Sequence, residues 1–123
     1  MTTSSTVGFP EEIHAGDDIE FEISVRDDQN KAPDIGGWKY WVLAKVNLDD
    51  ADNEAAFLVE VTAPVGDPLS LRGVVKGVVP SAQTGLVGTY HVATLRWKHD
   101  GTEWRRRTVE QKRLTILPGI ASG

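Results

Sequence analysis

The sequence has 123 residues, of which 40% are hydrophobic and 25% charged, and its formal net charge at pH 7 is −5. This length suits one domain with a core of its own. The absence of cysteine excludes a disulfide framework, a thiolate zinc site and a cysteine nucleophile. The negative charge disfavours non-specific nucleic-acid binding, and no run of about 20 apolar residues predicts a membrane helix.

Charge is divided unevenly along the chain. Residues 1–63 hold 14 acidic and 4 basic side chains, a net charge of −10, whereas residues 64–123 hold 4 acidic and 9 basic ones, a net charge of +5. Two interpretations stay open. Either the two halves interleave in one sandwich and neutralise each other, or two faces of opposite sign pair between subunits.

The first elements follow from period-two alternation. Residues 1–10 are Ser/Thr-rich, lack the features of a secretory signal, and predict an N-terminal tail. "DIEFEISVRDD" then alternates apolar and polar residues, which predicts a strand with one buried face. Its core-facing residues are Ile19, Phe21, Ile23 and Val25. The polar "DDQNKAPD" that follows predicts a turn.

The aromatic stretch "DIGGWKYWVLAKV" predicts the next strand, because it is rich in aromatic and β-branched residues. One parity is uniformly apolar or aromatic and is assigned to the core: Trp38, Tyr40, Val42, Ala44 and Val46. Trp41 has the other parity, together with two lysines. We therefore expect Trp38 and Tyr40 between two sheets and Trp41 on the opposite face.

The second half predicts further strands and one hairpin. Phe57, Val59 and Val61 alternate with Leu58 and Glu60. "LSLRGVVKGVV" predicts a strand with a bulge at its glycines, and "PSAQTGL" a short helical turn. Asp-Gly in "HDGT" predicts a hairpin turn, and the apolar parity shift between Tyr90/Val92 and Leu95/Trp97 predicts a bulge or a change of facing. The chain is thus expected to be all-β, a sandwich of about seven antiparallel strands over residues 11–119, with a C-terminal tail over 120–123.

No catalytic motif is present, and the sequence predicts no enzyme, metal or cofactor. The three histidines, at positions 14, 91 and 99, lack the spacing of a zinc site. Asp50, Asp52 and Glu54 resemble the start of a calcium loop, but Ala55 and Val61 occupy the positions where that loop needs Gly and Glu. A solvated acidic loop is therefore the favoured interpretation.

One basic run, "EWRRRTVEQKR", stands out near the C-terminus. On a strand its arginines must alternate in direction. Structural pairing with Glu20 and Glu22 on a neighbouring strand is the first interpretation, a protein interface the second and nucleic acid the least favoured. The candidate interface residues are Trp41, Trp104, Arg105, Arg106 and Arg107.

The order of segments resembles small immunoglobulin-like domains of tailed-phage structural proteins. The resemblance rests on Ala15-Gly16-Asp17 before the alternating strand, Pro33 to Gly37 before the next, Gly-x-Tyr in "SAQTGLVGTYHVATLRW", and the closing "LTILPG". It covers about residues 11–119, and the N-terminal domain of phage baseplate upper proteins is the nearest named family. That family carries further domains after this one, and their absence here favours a stand-alone accessory role.

The resemblance implies an immunoglobulin-like β-sandwich that is a non-enzymatic virion component, made in the host cytoplasm. Its position could be tail, baseplate or capsid decoration. Its partners would be other virion structural proteins in a homo- or hetero-oligomeric assembly, with no nucleic acid and no membrane. A carbohydrate-binding or adhesion module with an exposed tryptophan, Trp41 or Trp104, is the alternative.

Overall fold

The computed structural model describes residues 3–47, 55–99 and 101–119, and these are mostly β-strand. The strands are β1 (Thr3–Gly8), β2 (Glu12–His14), β3 (Ile19–Asp27), β4 (Lys39–Lys45), β5 (Phe57–Thr62), β6 (Val74–Val79), β7 (Gly88–His99) and β8 (Trp104–Leu117). A four-residue helix, α1, spans Pro68–Leu71, and a 3-10 turn spans Ser81–Gln83. The expected all-β class is confirmed, and so is the short helical turn after Pro80.

The strands form two sheets, ordered β1-β3-β6 and β2-β8-β7-β4-β5. The described residues hold eight strands where about seven were expected, and β2 pairs with β8 in parallel. One buried cluster takes side chains from both sheets, so the core lies between them. From the three-stranded sheet come Val7, Ile19, Phe21, Ile23, Val25, Val75 and Val79, and from the five-stranded sheet Ile13, Tyr40, Val42, Ala44, Phe57, Tyr90, Val92, Leu114 and Ile116.

The alternation of β3 and β4 is confirmed, but the residues just before and just after β4 are less buried than expected. Tyr40 is fully buried in the shared core, whereas Trp38, just before the strand, is only partly buried against it. Val46 was expected in the core but is 60% exposed, because β4 ends at Lys45. Burial raises the pKa of Tyr40, because the charged form would lose its hydration, and the Tyr40 hydroxyl lies 3.3 Å from Ser5 Oγ.

The N-terminal tail expected over residues 1–10 is a strand over Thr3–Gly8, paired antiparallel with β3. Buried Val7 and Phe9 anchor it to the core. The backbone of Val7 is also held by β8, because its N–H donates to Glu110 Oε2 at 2.7 Å and its carbonyl accepts from Lys112 Nζ. Side chains of one sheet therefore cap part of the open edge of the other.

The strand predicted over 69–79 begins only at Val74. Asp67 Oδ1 accepts from Leu69 N–H at 2.9 Å, and this cap with Pro68 at the first helical position starts α1 instead. The expected bulge is absent, since β3 and β6 pair in continuous register. Gly77 serves a different purpose: a Cβ there would lie 2.5 Å from both Phe21 Cζ and Val61 Cγ1.

The hairpin of β7 and β8 and its irregularity are both confirmed. Thr94 pairs with Glu110 and Leu95 with Thr108, so Val109 is an extra residue in β8. Strand β7 keeps its alternation across this point, and β8 changes face. From Glu110 to the end of β8, the even-numbered residues lie on the face that bears the core. Between the turn and Arg107, the odd-numbered residues of β8 lie on that face.

Substituting Gly77 with alanine tests how closely the two sheets approach. We expect Gly77→Ala to destabilise the fold by about 1–3 kcal/mol, because the new methyl group overpacks against Phe21 and Val61. Gly85→Ala is the matched control, since nothing lies within 4 Å of its Cβ position and its φ is not positive. Equal denaturant midpoints for the two variants would contradict this role of Gly77.

The hydroxyl of Tyr90 was expected to bond to backbone, and it donates to the Leu86 carbonyl at 2.9 Å. We expect Tyr90→Phe to lose about 0.5–1.5 kcal/mol of unfolding free energy in a urea titration, because the ring stays in place and only this hydrogen bond goes. An unchanged titration midpoint would show that the bond contributes nothing.

Candidate interaction surface

Three tryptophans meet on the outer face of the five-stranded sheet, the face turned away from the core. Trp41 on β4 and Trp97 on β7 have ring centroids 4.9 Å apart, at an interplanar angle of 53°. Together with Trp104 on β8 they line a shallow groove of about 200 Å³ whose other walls are Lys39 and Glu60. We call these five residues the tryptophan groove.

Glu60 fixes one side of the groove. Its Oε2 accepts a hydrogen bond from Trp41 Nε1 at 2.9 Å, and its Oε1 lies 3.9 Å from Lys39 Nζ. The direct pairing of Trp41 with Glu60 across β4 and β5 places these two side chains on the same face. The carboxylate therefore orients one indole and balances the charge of the lysine.

Trp104 forms the opposite wall and is the most open of the three, with 41% of its surface exposed. The Lys39 ammonium lies 4.8 Å from its ring centroid, a cation–π contact, and the His99 ring packs edge-on at 5.2 Å. The Nδ1 of His99 accepts from Gly101 N–H at 3.0 Å, which ties this histidine to the hairpin turn.

A small second apolar cluster lies beside the groove. Leu43, Ala93 and Leu95 are buried on this outer face, with Trp41 packed against them. Trp41 is thus on the face opposite to the main core, as its parity predicted, and it shields part of this cluster from water. Deeper in the groove, Trp97 Nε1 is buried and has no hydrogen-bond partner among the described residues.

The three arginines of the basic run divide between the two faces, as alternation requires. Arg106 pairs with Trp97 and lines a recess beside Leu43 and Leu95 on the outer face. Arg105 and Arg107 pair with Lys98 and Arg96, which share the other face. Those four residues form what we call the hairpin basic cluster.

The hairpin basic cluster rests on the remaining tryptophan. Arg96 and Lys98 lie over the ring of Trp38, at 5.6 and 4.5 Å from its centroid. Arg96 also donates from Nη1 to Thr3 Oγ1 at 2.9 Å, while its Nε is buried without a partner in the described part of the chain. Arg105 pairs at 3.1 Å with Glu103, and both side chains are largely exposed, so this ion pair contributes little to stability.

The expected pairing of these arginines with Glu20 and Glu22 is wrong. Those glutamates are on β3 in the three-stranded sheet, whereas the arginines are on β8 in the other sheet. Glu22 instead has Lys76 directly opposite on β6. The error arose because sequence alternation does not reveal which sheet a strand joins.

The structure unites the two predicted tryptophans but divides the predicted arginines between two faces. Sequence reasoning missed Lys39, Glu60 and Trp97 in the groove and Arg96 and Lys98 in the basic cluster. Their common signal is cross-strand register: that of β4 with β5 and β7 for the groove, and that of β7 with β8 for the basic cluster. The hairpin had been predicted, but the extra residue had not been assigned to β8.

Within residues 3–47, 55–99 and 101–119, no three His, Asp or Glu side chains gather as a metal site would require. The acidic segment with Asp50, Asp52 and Glu54 lies outside the described residues. Among the helices of the described chain, none has the length and apolarity needed to cross a membrane.

Comparisons with known proteins identify the fold alone. No family model matches the chain, and no curated protein matches it. Solved structures match at low identity. A β-glucosidase from Listeria innocua in complex with isofagomine has a TM-score of 0.53 at 11% identity; the match covers 98% of this chain and 17% of that one.

Two chains shorter than the β-glucosidase also match. A superoxide reductase (neelaredoxin) from Ignicoccus hospitalis has a TM-score of 0.51 at 11% identity, over 92% of this chain and 80% of that one. The PKD domain of an M14-like peptidase from a Thermoplasmatales archaeon has a TM-score of 0.48 at 13% identity, over 93% of both chains. The β-glucosidase and the superoxide reductase have different functions, so these two matches indicate an architecture and no activity.

The two faces of the sheet predict different costs for removing a tryptophan. We expect Trp38→Ala to lose about 3 kcal/mol, because this ring packs against the main core and supports two cations. Trp104→Ala should lose less than about 1 kcal/mol, because the ring is more exposed and lies on the surface. Chemical denaturation of both variants measures the difference, and equal losses would contradict the assignment of Trp38 to the structural side.

Proposed function

We propose that this protein is a non-enzymatic structural component of a tailed-phage virion, located in the tail or baseplate or on the capsid, that docks onto neighbouring subunits. Its domain is proposed to be an immunoglobulin-like β-sandwich. The packing of two sheets around one core and the Tyr90 hydroxyl bonded to the Leu86 carbonyl support that fold. The localisation is the virion, after synthesis in the host cytoplasm.

The observation that carries the docking role is the hairpin basic cluster. Four cations share one face at the end of the hairpin: Arg96, Lys98, Arg105 and Arg107. Together with Arg106 and His99 they line a recess of about 440 Å³. They lie on the two longest strands of the described chain, since β7 and β8 run over 12 and 14 residues. Such a concentration suits the acidic surface of a partner subunit and sets the register of a contact.

The edge strand β1 is the second element proposed for docking. It is at the edge of the three-stranded sheet, and among the described residues the side chains of Glu110 and Lys112 bond to this edge at Val7. Open sheet edges are common sites for adding a strand from another chain. Thr3 Oγ1 of the same strand accepts a hydrogen bond from Arg96 Nη1, so β1 is in direct contact with the basic cluster.

A matched pair of charge reversals tests the docking surface. Arg107→Glu changes a residue of the basic cluster, whereas Arg113→Glu makes the same change at an exposed site nearer the other end of β8. We expect Arg107→Glu to reduce incorporation into assembled particles several-fold and Arg113→Glu to leave it near wild type. The residual contact should weaken further as salt rises, because exposed charges are screened over about 8–10 Å at physiological ionic strength.

Incorporation is measured as copies per purified particle after complementation of the phage with each folded variant. Equal incorporation of both variants would contradict docking through the basic cluster. Deleting residues 1–10 is not a usable test, because it removes β1 and buried Val7 and Phe9. Turnover of glycans or peptidoglycan by the pure protein would contradict the non-enzymatic role.

A further inference from the structure

The tryptophan groove combines an aromatic floor with a polar rim. Trp41, Trp97 and Trp104 supply the apolar surface, and the side chains of Lys39 and Glu60 border it. The volume of about 200 Å³ is smaller than the roughly 300–1,000 Å³ of pockets for drug-sized ligands. The groove therefore suits one ring or one side chain at a time.

The side chains of the polar rim can form more hydrogen bonds than they form within the described residues. Lys39 Nζ has three N–H donors, yet within the described residues its contacts are only the Glu60 carboxylate at 3.9 Å and the Trp104 ring at 4.8 Å. Glu60 uses Oε2 for Trp41 Nε1, and its Oε1 faces the distant ammonium. The two charges cancel, so the rim favours a neutral ligand that both donates and accepts hydrogen bonds.

From this arrangement we infer that the tryptophan groove is a binding site for a neutral saccharide. A pyranose ring has an apolar C–H face, which packs on an indole ring, and hydroxyl groups around its edge. Trp104, at 41% exposure, supplies the accessible aromatic surface. Lys39 donates to ring hydroxyls, and Glu60 Oε1 accepts from them.

Other occupants fit the groove less well. A cation would compete with the Lys39 ammonium, which already lies over Trp104. An apolar side chain of a partner protein would cover the indoles but desolvate Lys39 and Glu60 without replacing their hydrogen bonds with water, which is unfavourable. Only a ligand with one apolar and one hydroxyl-bearing side uses both parts of the groove.

Saccharide binding is independent of the proposed docking role. The groove lies on the outer face of the five-stranded sheet, where β8 contributes Trp104. Arg107 of the docking surface lies on the other face of β8. Particle incorporation and saccharide binding can therefore fail separately. A saccharide site on the outer face would remain accessible on a subunit held through its other face.

Indole N–H signals in a 15N-labelled sample test the site directly. The chain has four tryptophans, of which three line the groove and Trp38 lies on the opposite face as an internal control. The probes are the methyl glycosides of glucose, galactose, mannose and N-acetylglucosamine, titrated to tens of millimolar. We expect at least one to shift the signals of Trp41, Trp97 and Trp104 with saturation, while the Trp38 signal stays in place.

Variants assign the binding to the groove. Trp104→Ala should raise the dissociation constant of the glycoside that binds at least about tenfold, because it removes the exposed stacking surface. Glu60→Gln should raise the same dissociation constant several-fold. The amide oxygen can still accept from Trp41 Nε1, so the structure of the groove is kept. Leu86→Ala, at an exposed site on another loop, is the control and should bind as wild type.

Three results would overturn the inference. No glycoside shifts the groove signals; or tetramethylammonium or a proline-rich peptide shifts them where no glycoside does; or Trp104→Ala and Glu60→Gln both bind as tightly as Leu86→Ala. The second result would assign the groove to a cation or to a partner protein instead. Reduced particle incorporation by Arg107→Glu with normal glycoside binding would support both proposals.

Discussion

The extra residue in β8, Val109, determines which side chains meet on each face of the long hairpin. Without it, the residues nearer the turn would keep their earlier alternation, and Trp104 would face the side of the core. With it, Trp104 pairs with His99 and joins Trp41 and Trp97 on the outer face. The same shift moves Arg105 and Arg107 to the face of Arg96. Both candidate surfaces therefore depend on one bulge.

The hairpin end also holds polar atoms that the rest of the fold leaves unsatisfied. Arg96 Nε and Trp97 Nε1 are buried without hydrogen-bond partners among the described residues, and they are neighbours on β7. A buried polar atom that finds no partner, water included, costs about 1–3 kcal/mol. Arg96 belongs to the basic cluster and Trp97 to the tryptophan groove. Two of the three such atoms in the described part of the chain lie at this end, and the third is Ser70 Oγ in α1. Departures from good local bonding are expected at functional sites.

Local patterns in the sequence predicted much of the fold, because they depend on neighbours along the chain. The alternation of β3, the hairpin, its irregularity and the backbone bond of Tyr90 were all read from short windows. What escaped prediction depends on distant contacts. Residues 3–8 have little apolar character, and they form β1 because β3 offers an open edge and β8 holds Val7.

The candidate site shows the same division between local and distant information. Trp41 and Trp104 were singled out as exposed aromatics, but that they line one groove follows from the order of β8, β7 and β4 in the sheet. Glu60 could not be found as the partner of Trp41 without the register of β5. Alternation predicts on which face a residue lies, whereas only strand order determines its neighbours.

Strand order also explains what the uneven charge along the sequence means. The acidic half supplies β1 to β5 and the basic half β6 to β8, yet each sheet contains strands from both halves. The halves therefore interleave, and the division along the chain does not produce one acidic and one basic sheet. The basic character is instead concentrated where β7 and β8 carry arginine and lysine side chains toward their turn. A contact guided by charge would accordingly be made at one end of the molecule and not across a whole face. This fits a subunit that is held at its hairpin end, with the outer face of the five-stranded sheet left free.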